Sequence, residues 1–148
     1  MPEQQQLSGP HIQIAAFCEK VLRENDGAVS LIRIIDRFNI SGRVPEMPPN
    51  SISFTIFICF KAGFYRGKAS LKVSPVSPTG KELPGLDFLV LFEGDDERGS
   101  IVQANMTMLI NEEGLYWFDV SLLGVHVTRM PLRVVYQQIL FATQPERS

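Results

Sequence analysis

Apolar and polar residues alternate with a period of two along most of the chain. In residues 51–60, SISFTIFICF, every second residue is large and apolar. This apolar set consists of Ile52, Phe54, Ile56, Ile58 and Phe60. Successive side chains of a β-strand point to opposite sides, so the pattern predicts a strand with one face in a core. The same alternation leaves Phe57 on the outer face of that strand.

Seven further segments show strand-like patterns and are separated by turn-forming residues. They are residues 11–18, 28–38, 67–76, 86–92, 101–110, 113–122 and 125–137. Residues 18–25, CEKVLREN, are compatible with at most a single turn of helix. Short strands at this spacing are typical of a sandwich or barrel. We therefore predict an all-β fold, a mostly antiparallel two-sheet sandwich of about seven to eight strands with immunoglobulin-like or related topology.

The length of 148 residues suits one domain, because a chain of this size buries enough surface to be stable alone. We assign residues 11–141 to a single sandwich domain. Residues 1–10 are predicted to form a flexible leader, and residues 142–148 a polar tail. The proline-containing segment 42–51, GRVPEMPPNS, interrupts the alternation and is interpreted as a crossover between the two sheets.

Charge and composition exclude several classes of partner. The net charge is −2 and no dense run of Lys or Arg occurs, so we expect no nucleic-acid partner. The N-terminus does not have the pattern of a secretory signal, and no run of eighteen apolar residues is present. We therefore expect a cytoplasmic protein without a membrane segment. Cys18 and Cys59 are predicted to be buried thiols, although the sequence leaves a disulfide open.

The segment EEGLYWFDVSL, residues 112–122, carries a structural motif. In immunoglobulin-like sandwiches, a tyrosine near the start of the penultimate strand donates a hydrogen bond to the chain upstream. Glu112, Gly114 and Tyr116 have the spacing of this tyrosine corner, with Glu in place of the commoner Asp. Phe118 then points into the core.

Alternation places Trp117 on the outer face of the same strand. A large aromatic residue there is either covered by another segment or lies in an interface, where Trp is enriched. The candidate cover is the apolar segment Ile139, Leu140 and Phe141. For the interface hypothesis, Phe57 and Tyr65 are possible further members of an interaction or stacking surface. Because proline is tolerated at sheet edges, Pro131 marks residues 125–137 as a candidate edge strand.

The loop after residue 92 holds the densest charge in the chain. Its acidic residues are Glu93, Asp95, Asp96 and Glu97. Carboxylates on such a loop can bind calcium, but calcium needs six to eight converging oxygen ligands, so we predict no metal site. No phosphate-binding loop, nucleophile elbow or histidine cluster is present. We therefore predict no cofactor, no catalytic residues and no enzyme activity.

The segment EGLYWFDVSLLGVHVTRMPLRVVYQ, together with LIRIIDRF, SPTGKEL and FEGDDERG, resembles a family of small uncharacterised bacterial proteins. The resemblance runs from about His11 to Gln137 and implies a bacterial, intracellular β-rich domain without assigned catalytic residues. The favoured function is a non-catalytic protein-interaction or structural module, whose partner is another protein or a second copy in a homodimer. The alternative is a module for a small ligand or carbohydrate, with Trp117 or Tyr65 as platform and Asp95 and Asp96 as polar contacts. A third hypothesis is a metal-dependent enzyme at the acidic loop.

Overall fold

The computed structural model describes residues 9–97 and 99–140, and these form nine β-strands. The strands are β1 (His11–Arg23), β2 (Val29–Ile35), β3 (Arg37–Gly42), β4 (Asn50–Lys61), β5 (Arg66–Val76), β6 (Leu86–Glu93), β7 (Gly99–Ile110), β8 (Gly114–Leu122) and β9 (Val125–Gln138). Within these residues no helix is present that could cross a membrane. Apart from Gly9 and Pro10, the predicted leader and polar tail lie outside the described residues.

The strands form two sheets, as the sequence predicts. One sheet has the order β2-β1-β4-β7, and the other has the order β3-β9-β8-β5-β6. All pairs are antiparallel except β3 with β9. The runs β1-β4-β7 and β9-β8-β5-β6 correspond to strands A-B-E and G-F-C-C′ of the immunoglobulin fold. The predicted sandwich class is therefore confirmed, with nine strands instead of seven or eight.

Two local predictions are wrong. Residues 28–38 form two strands in different sheets, because the chain changes sheet at Asp36, whose carbonyl accepts a hydrogen bond from the Arg133 N–H at 3.1 Å. The period of two is interrupted there, since Ile34 and Ile35 are both apolar and Asp36 and Arg37 are both polar, but no Gly or Pro in residues 28–38 marks the change of sheet. Residues 18–25 contain no helical turn, since β1 continues to Arg23 and pairs there with Val29 of β2.

The predicted edge strand is also placed differently. β9 lies between β3 and β8, so it is not an edge strand as a whole. Its pairing with β3 begins only at Arg133, two residues beyond Pro131. Within the described residues, the first half of β9 therefore has β8 as its sole neighbouring strand. This local edge explains why a residue without an N–H group is tolerated there.

The core fills the space between the two sheets. Phe118 of β8 is fully buried, and its ring packs edge-on against Phe17 of β1 at 4.8 Å and Phe54 of β4 at 5.8 Å. Aromatic rings in this arrangement add to the stabilisation from buried area. The segment between β3 and β4 crosses from one sheet to the other, as predicted. The core and this crossover hold the two sheets together without a disulfide.

Both cysteines are free thiols on the four-stranded sheet. Cys18 lies opposite Thr55, and Cys59 lies opposite Ile14, so four residues of β4 separate the two positions. That offset is about 13 Å along a strand, which is too long for a disulfide. Burial raises the pKa of each thiol above its usual value, which keeps both in the neutral form.

Candidate functional site

The start of β8 is fixed by a tyrosine corner. The Tyr116 hydroxyl donates a hydrogen bond to the main-chain carbonyl of Glu112 at 2.7 Å, and the Tyr116 side chain is 2% exposed. Burial raises the pKa of Tyr116. The Glu112 carboxylate accepts a hydrogen bond from Thr79 at 3.0 Å. Gly114 has a φ of +133°, and a Cβ atom there would lie 2.8 Å from Pro78. These contacts give the motif a structural role.

Trp117 lies on the outer face of the five-stranded sheet, half-buried beneath an arginine. The Arg129 guanidinium lies 4.7 Å from the centre of the Trp117 ring, in cation–π geometry. Arg129 Nε also donates a hydrogen bond to Asp119 Oδ1 at 2.8 Å, and His126 Nε2 lies 3.3 Å from the same oxygen. The ring face beneath Arg129 is therefore not free to stack against a sugar.

The segment after β9 does not cover Trp117. Trp117 pairs with Pro131, and Ile139 follows eight residues later, which corresponds to about 26 Å along a strand. Ile139 and Leu140 remain 46% and 76% exposed, and the Ile139 N–H donates to the Gly42 carbonyl beside β3. The predicted cover is thus wrong for these two residues, and Phe141 lies outside the described residues.

Phe57 and Tyr65 do not form a surface with Trp117. Phe57 does lie on an outer face, but that face belongs to the opposite sheet and the side chain is only 3% exposed. Tyr65 precedes β5, whereas Trp117 pairs with Val76 at the other end of β5, about 36 Å away. The Tyr65 ring packs edge-on against Phe92 at 5.7 Å. The three aromatic residues are therefore separate features.

The acidic residues after β6 are used within the loop and in its attachment to the sheet. Asp96 Oδ1 accepts a hydrogen bond from the Gly63 N–H at 2.8 Å, and Asp95 Oδ1 accepts one from the Glu97 N–H at 3.0 Å. Glu93 is the last residue of β6. Over the described part of the chain, no three His, Cys, Asp or Glu side chains converge as metal ligands would.

A polar groove of about 380 Å³ lies on the outer face that also carries Trp117. Its ionisable lining residues are Lys72, Glu82, Asp87 and Asp119. Asp119 links the groove to Arg129 through the ion pair described above. The groove is large enough for a small polar molecule and presents more negative than positive groups.

The free edge of β7 is the feature that sequence reasoning missed. β7 pairs with β4 over all twelve of its residues without a break in register, and no described strand pairs with its other edge. It contains no charged residue and no proline. The other three outermost strands are shorter and carry charge: β2 contains Arg33, β3 contains Arg37, and β6 contains Asp87 and Glu93.

The two ends of this edge are flanked by other segments. Near one end, Ser100 Oγ donates to the Leu91 carbonyl of β6 at 2.6 Å, and a groove of about 350 Å³ separates the two strands. Near the other end, Leu83 and Pro84 face Met108 and Leu109 across an apolar pocket of about 160 Å³. Leu109 is 69% exposed. Between these flanks, no described strand pairs with the middle of β7.

The fold and the surfaces define a β-sandwich domain of immunoglobulin-like architecture. Residues 13–135 match a family of unknown function, DUF6941, and the chain belongs to that family. No curated protein matches the sequence significantly.

Solved structures with similar strand arrangements share little sequence with this chain. The alkylpurine DNA glycosylase AlkC of Pseudomonas fluorescens aligns with a TM-score of 0.48 and 8% identity, over 86% of this chain and 31% of that one. A Listeria innocua β-glucosidase aligns with a TM-score of 0.47 and 14% identity, over 82% of this chain and 16% of that one. The CARDB domain of the Pyrococcus furiosus PF1109 protein aligns with a TM-score of 0.43 and 10% identity, over 90% of this chain and 100% of that one. The chain thus spans less than a third of the first two proteins.

Proposed function

We propose that this domain is a non-catalytic protein-interaction module that binds a polypeptide strand at the free edge of β7. The observation that carries the proposal is the absence of charge, proline and bulges along an outermost strand of twelve residues. Such an edge presents a row of main-chain donors and acceptors, and most proteins protect similar edges with charged residues or proline. Adding a strand satisfies these groups and is a common mode of peptide recognition.

The other polar features support a non-catalytic role. Asp95 and Asp96 accept main-chain hydrogen bonds within the sandwich, and Asp119 is paired with Arg129. Carboxylates used in this way are typical of structural loops and surface pairs. The free, buried thiols of Cys18 and Cys59 suit a reducing compartment, and we place the module in the cytoplasm.

The test is a substitution that blocks strand addition and spares the domain. Ala104 faces the inside of the sandwich from β7 at 9% exposure and lies outside the main core cluster, and a melting curve of Ala104→Lys shows whether the domain still folds. In Ala104→Lys, the ammonium group can reach water past the open edge, as long basic side chains commonly do. An added strand would enclose that charge at a large energetic cost.

Proteins captured from source-cell extract by the wild type would be compared with those captured by two variants. Asn39→Lys on β3 is the matched control, because it adds the same charge to an exposed position on another outermost strand. We expect a partner that the wild type and Asn39→Lys retain and that Ala104→Lys loses. Equal capture by all three proteins would rule out the β7 edge as the binding site.

The polar groove beside Trp117 favours a second candidate function, the binding of a small polar ligand. Trp117 is the only tryptophan in the chain, so its fluorescence reports on this face. A saturable fluorescence change with a member of a sugar and amino-acid panel, abolished in Asp119→Asn, would support this candidate. No response across the panel would count against it.

A further inference from the structure

We infer that the strand accepted by β7 is the β7 strand of a second copy, paired antiparallel about a two-fold axis. The inference rests on the proposed function and names its partner. Two β7 strands carry no charge, so their approach brings no like charges opposite each other. Each of the other three outermost strands carries at least one charge, so self-pairing there is less favourable. The result would be one continuous sheet of eight strands.

The alternation of β7 restricts the register of this pairing. Residues directly opposite each other in an antiparallel pair lie on the same face, so the two-fold axis must pass beside a residue and its own copy. An axis at Asn105 centres the pairing on the middle of the edge and places Gln103 opposite Thr107 of the second copy. Amide and hydroxyl groups then meet on the outer face. Asn105 Oδ1 already accepts from Thr55 at 2.8 Å, which leaves its NH₂ group available to the copy.

The same register accounts for the exposed leucine at the end of the edge. With the axis at Asn105, Ile101 of the second copy lies opposite Leu109. Both side chains lie on the outer face, so two apolar groups meet there. Each β7 strand thus places the apolar side chain of Ile101 opposite the exposed Leu109 of the other copy. The two ends of β7 are complementary to each other, as an isologous interface requires.

The first test measures self-association and edge protection on the purified wild type. Sedimentation velocity over a range of concentrations gives the oligomeric state, and hydrogen exchange read by mass spectrometry gives the protection of residues 99–110. We expect a dimer whose β7 amides gain protection as concentration rises. The outermost strand β2, residues 29–35, lies at the opposite edge of the same sheet, so it is the internal control and should exchange at the same rate throughout.

Two outcomes overturn the inference. In one, the protein remains a monomer and β7 exchanges freely at all concentrations. In the other, β7 is protected in a monomer, which would show that a segment of the same chain covers the edge. If the purified protein is a monomer with a free edge and Ala104→Lys still loses a captured partner, only the self-pairing fails. If Ala104→Lys also captures the same proteins as the wild type, the proposed function fails as well.

Variants test the interface and its register directly. Ala104→Lys should weaken the dimer by roughly a hundredfold or more, since two charges would be enclosed, whereas Asn39→Lys should leave it unchanged. Asn105→Cys places two thiols opposite each other, within the Cα separation that a disulfide spans, so it should cross-link under mild oxidation. In Gln103→Cys the thiols are about 13 Å apart and should not cross-link. Cross-linking of Gln103→Cys in place of Asn105→Cys would overturn the register.

Discussion

The tyrosine corner gives a stability prediction that follows from one hydrogen bond. Replacing Tyr116 with Phe removes the hydroxyl that donates to the Glu112 carbonyl at 2.7 Å and leaves the ring in place. A hydrogen bond of this kind contributes about 1 kcal/mol net. The carbonyl it leaves belongs to a half-buried residue beside a cavity of about 220 Å³, so water can replace the lost donor. We therefore expect a loss of about 1 kcal/mol, or about 3 °C in Tm.

The measurement is urea denaturation followed by circular dichroism and tryptophan fluorescence. Tyr65→Phe is the control, because its hydroxyl also donates to a main-chain carbonyl, that of Lys68, but in an exposed setting. That variant should lose less than about 0.5 kcal/mol, as exposed substitutions generally do. An unchanged midpoint for Tyr116→Phe would refute a stabilising corner bond. A loss above about 3 kcal/mol would show that the ring itself had moved.

The pH dependence of stability provides a second test of the same bond. Burial raises the pKa of Tyr116 in the folded protein above the ordinary tyrosine value of about 10. The unfolded chain therefore releases this proton first, and the stabilisation, complete below about pH 10, is lost as pH rises further. Tyr116→Phe lacks this titration, so the difference in stability between wild type and variant should shrink above about pH 10. A constant difference would contradict the buried, neutral phenol.

Three other features give separate predictions. Phe118→Ala should lower the free energy of unfolding in urea by about 3 to 5 kcal/mol, because it opens a cavity at a fully buried position. An unchanged free energy would contradict the position of β8 in the core. Arg129→Gln should alter the fluorescence of Trp117 while lowering stability by no more than about 1 kcal/mol, and an unchanged spectrum would contradict the stacked geometry. Cys18 should react with Ellman's reagent only after unfolding, since it is fully buried with a raised pKa, and rapid native reaction would contradict that placement.

The sequence predicts well what depends on local alternation. The facing of Tyr116, Trp117 and Phe118 follows from the two-residue period of a strand, and the corner motif follows from spacing within five residues. Phe57 shows the limit of this reasoning. Alternation correctly places it on an outer face, but β4 is a central strand, with Ala16 and Gln103 directly opposite Phe57 on the two sides. Burial on that face depends on neighbours that the pattern does not specify.

Strand order is the information that alternation does not contain. β7 and β9 both alternate cleanly, yet one is outermost and the other lies inside its sheet. Pro131 predicts an edge strand, but β9 is an inner strand that lacks a second described neighbour only over its first half. The lack of charge in residues 99–110 is visible in the sequence. It indicates a binding edge only when β7 is known to be an outermost strand. The place of β7 in the sheet results from pairing between residues far apart in sequence.

The change of sheet at Asp36 has a consequence for how the chain folds. β3 has β9 as its strand partner within the described residues, and Arg37 lies opposite Arg133, 96 residues later. A strand whose partner is so distant in sequence cannot form early, because the chain between β3 and β9 must close into a loop before their pairing stabilises either strand. On the ribosome, residues 37–42 therefore remain unpaired until the last strand has emerged. We expect slow, cooperative folding in which loss of β9 leaves β3 without its strand partner and β8 without one of its two neighbours.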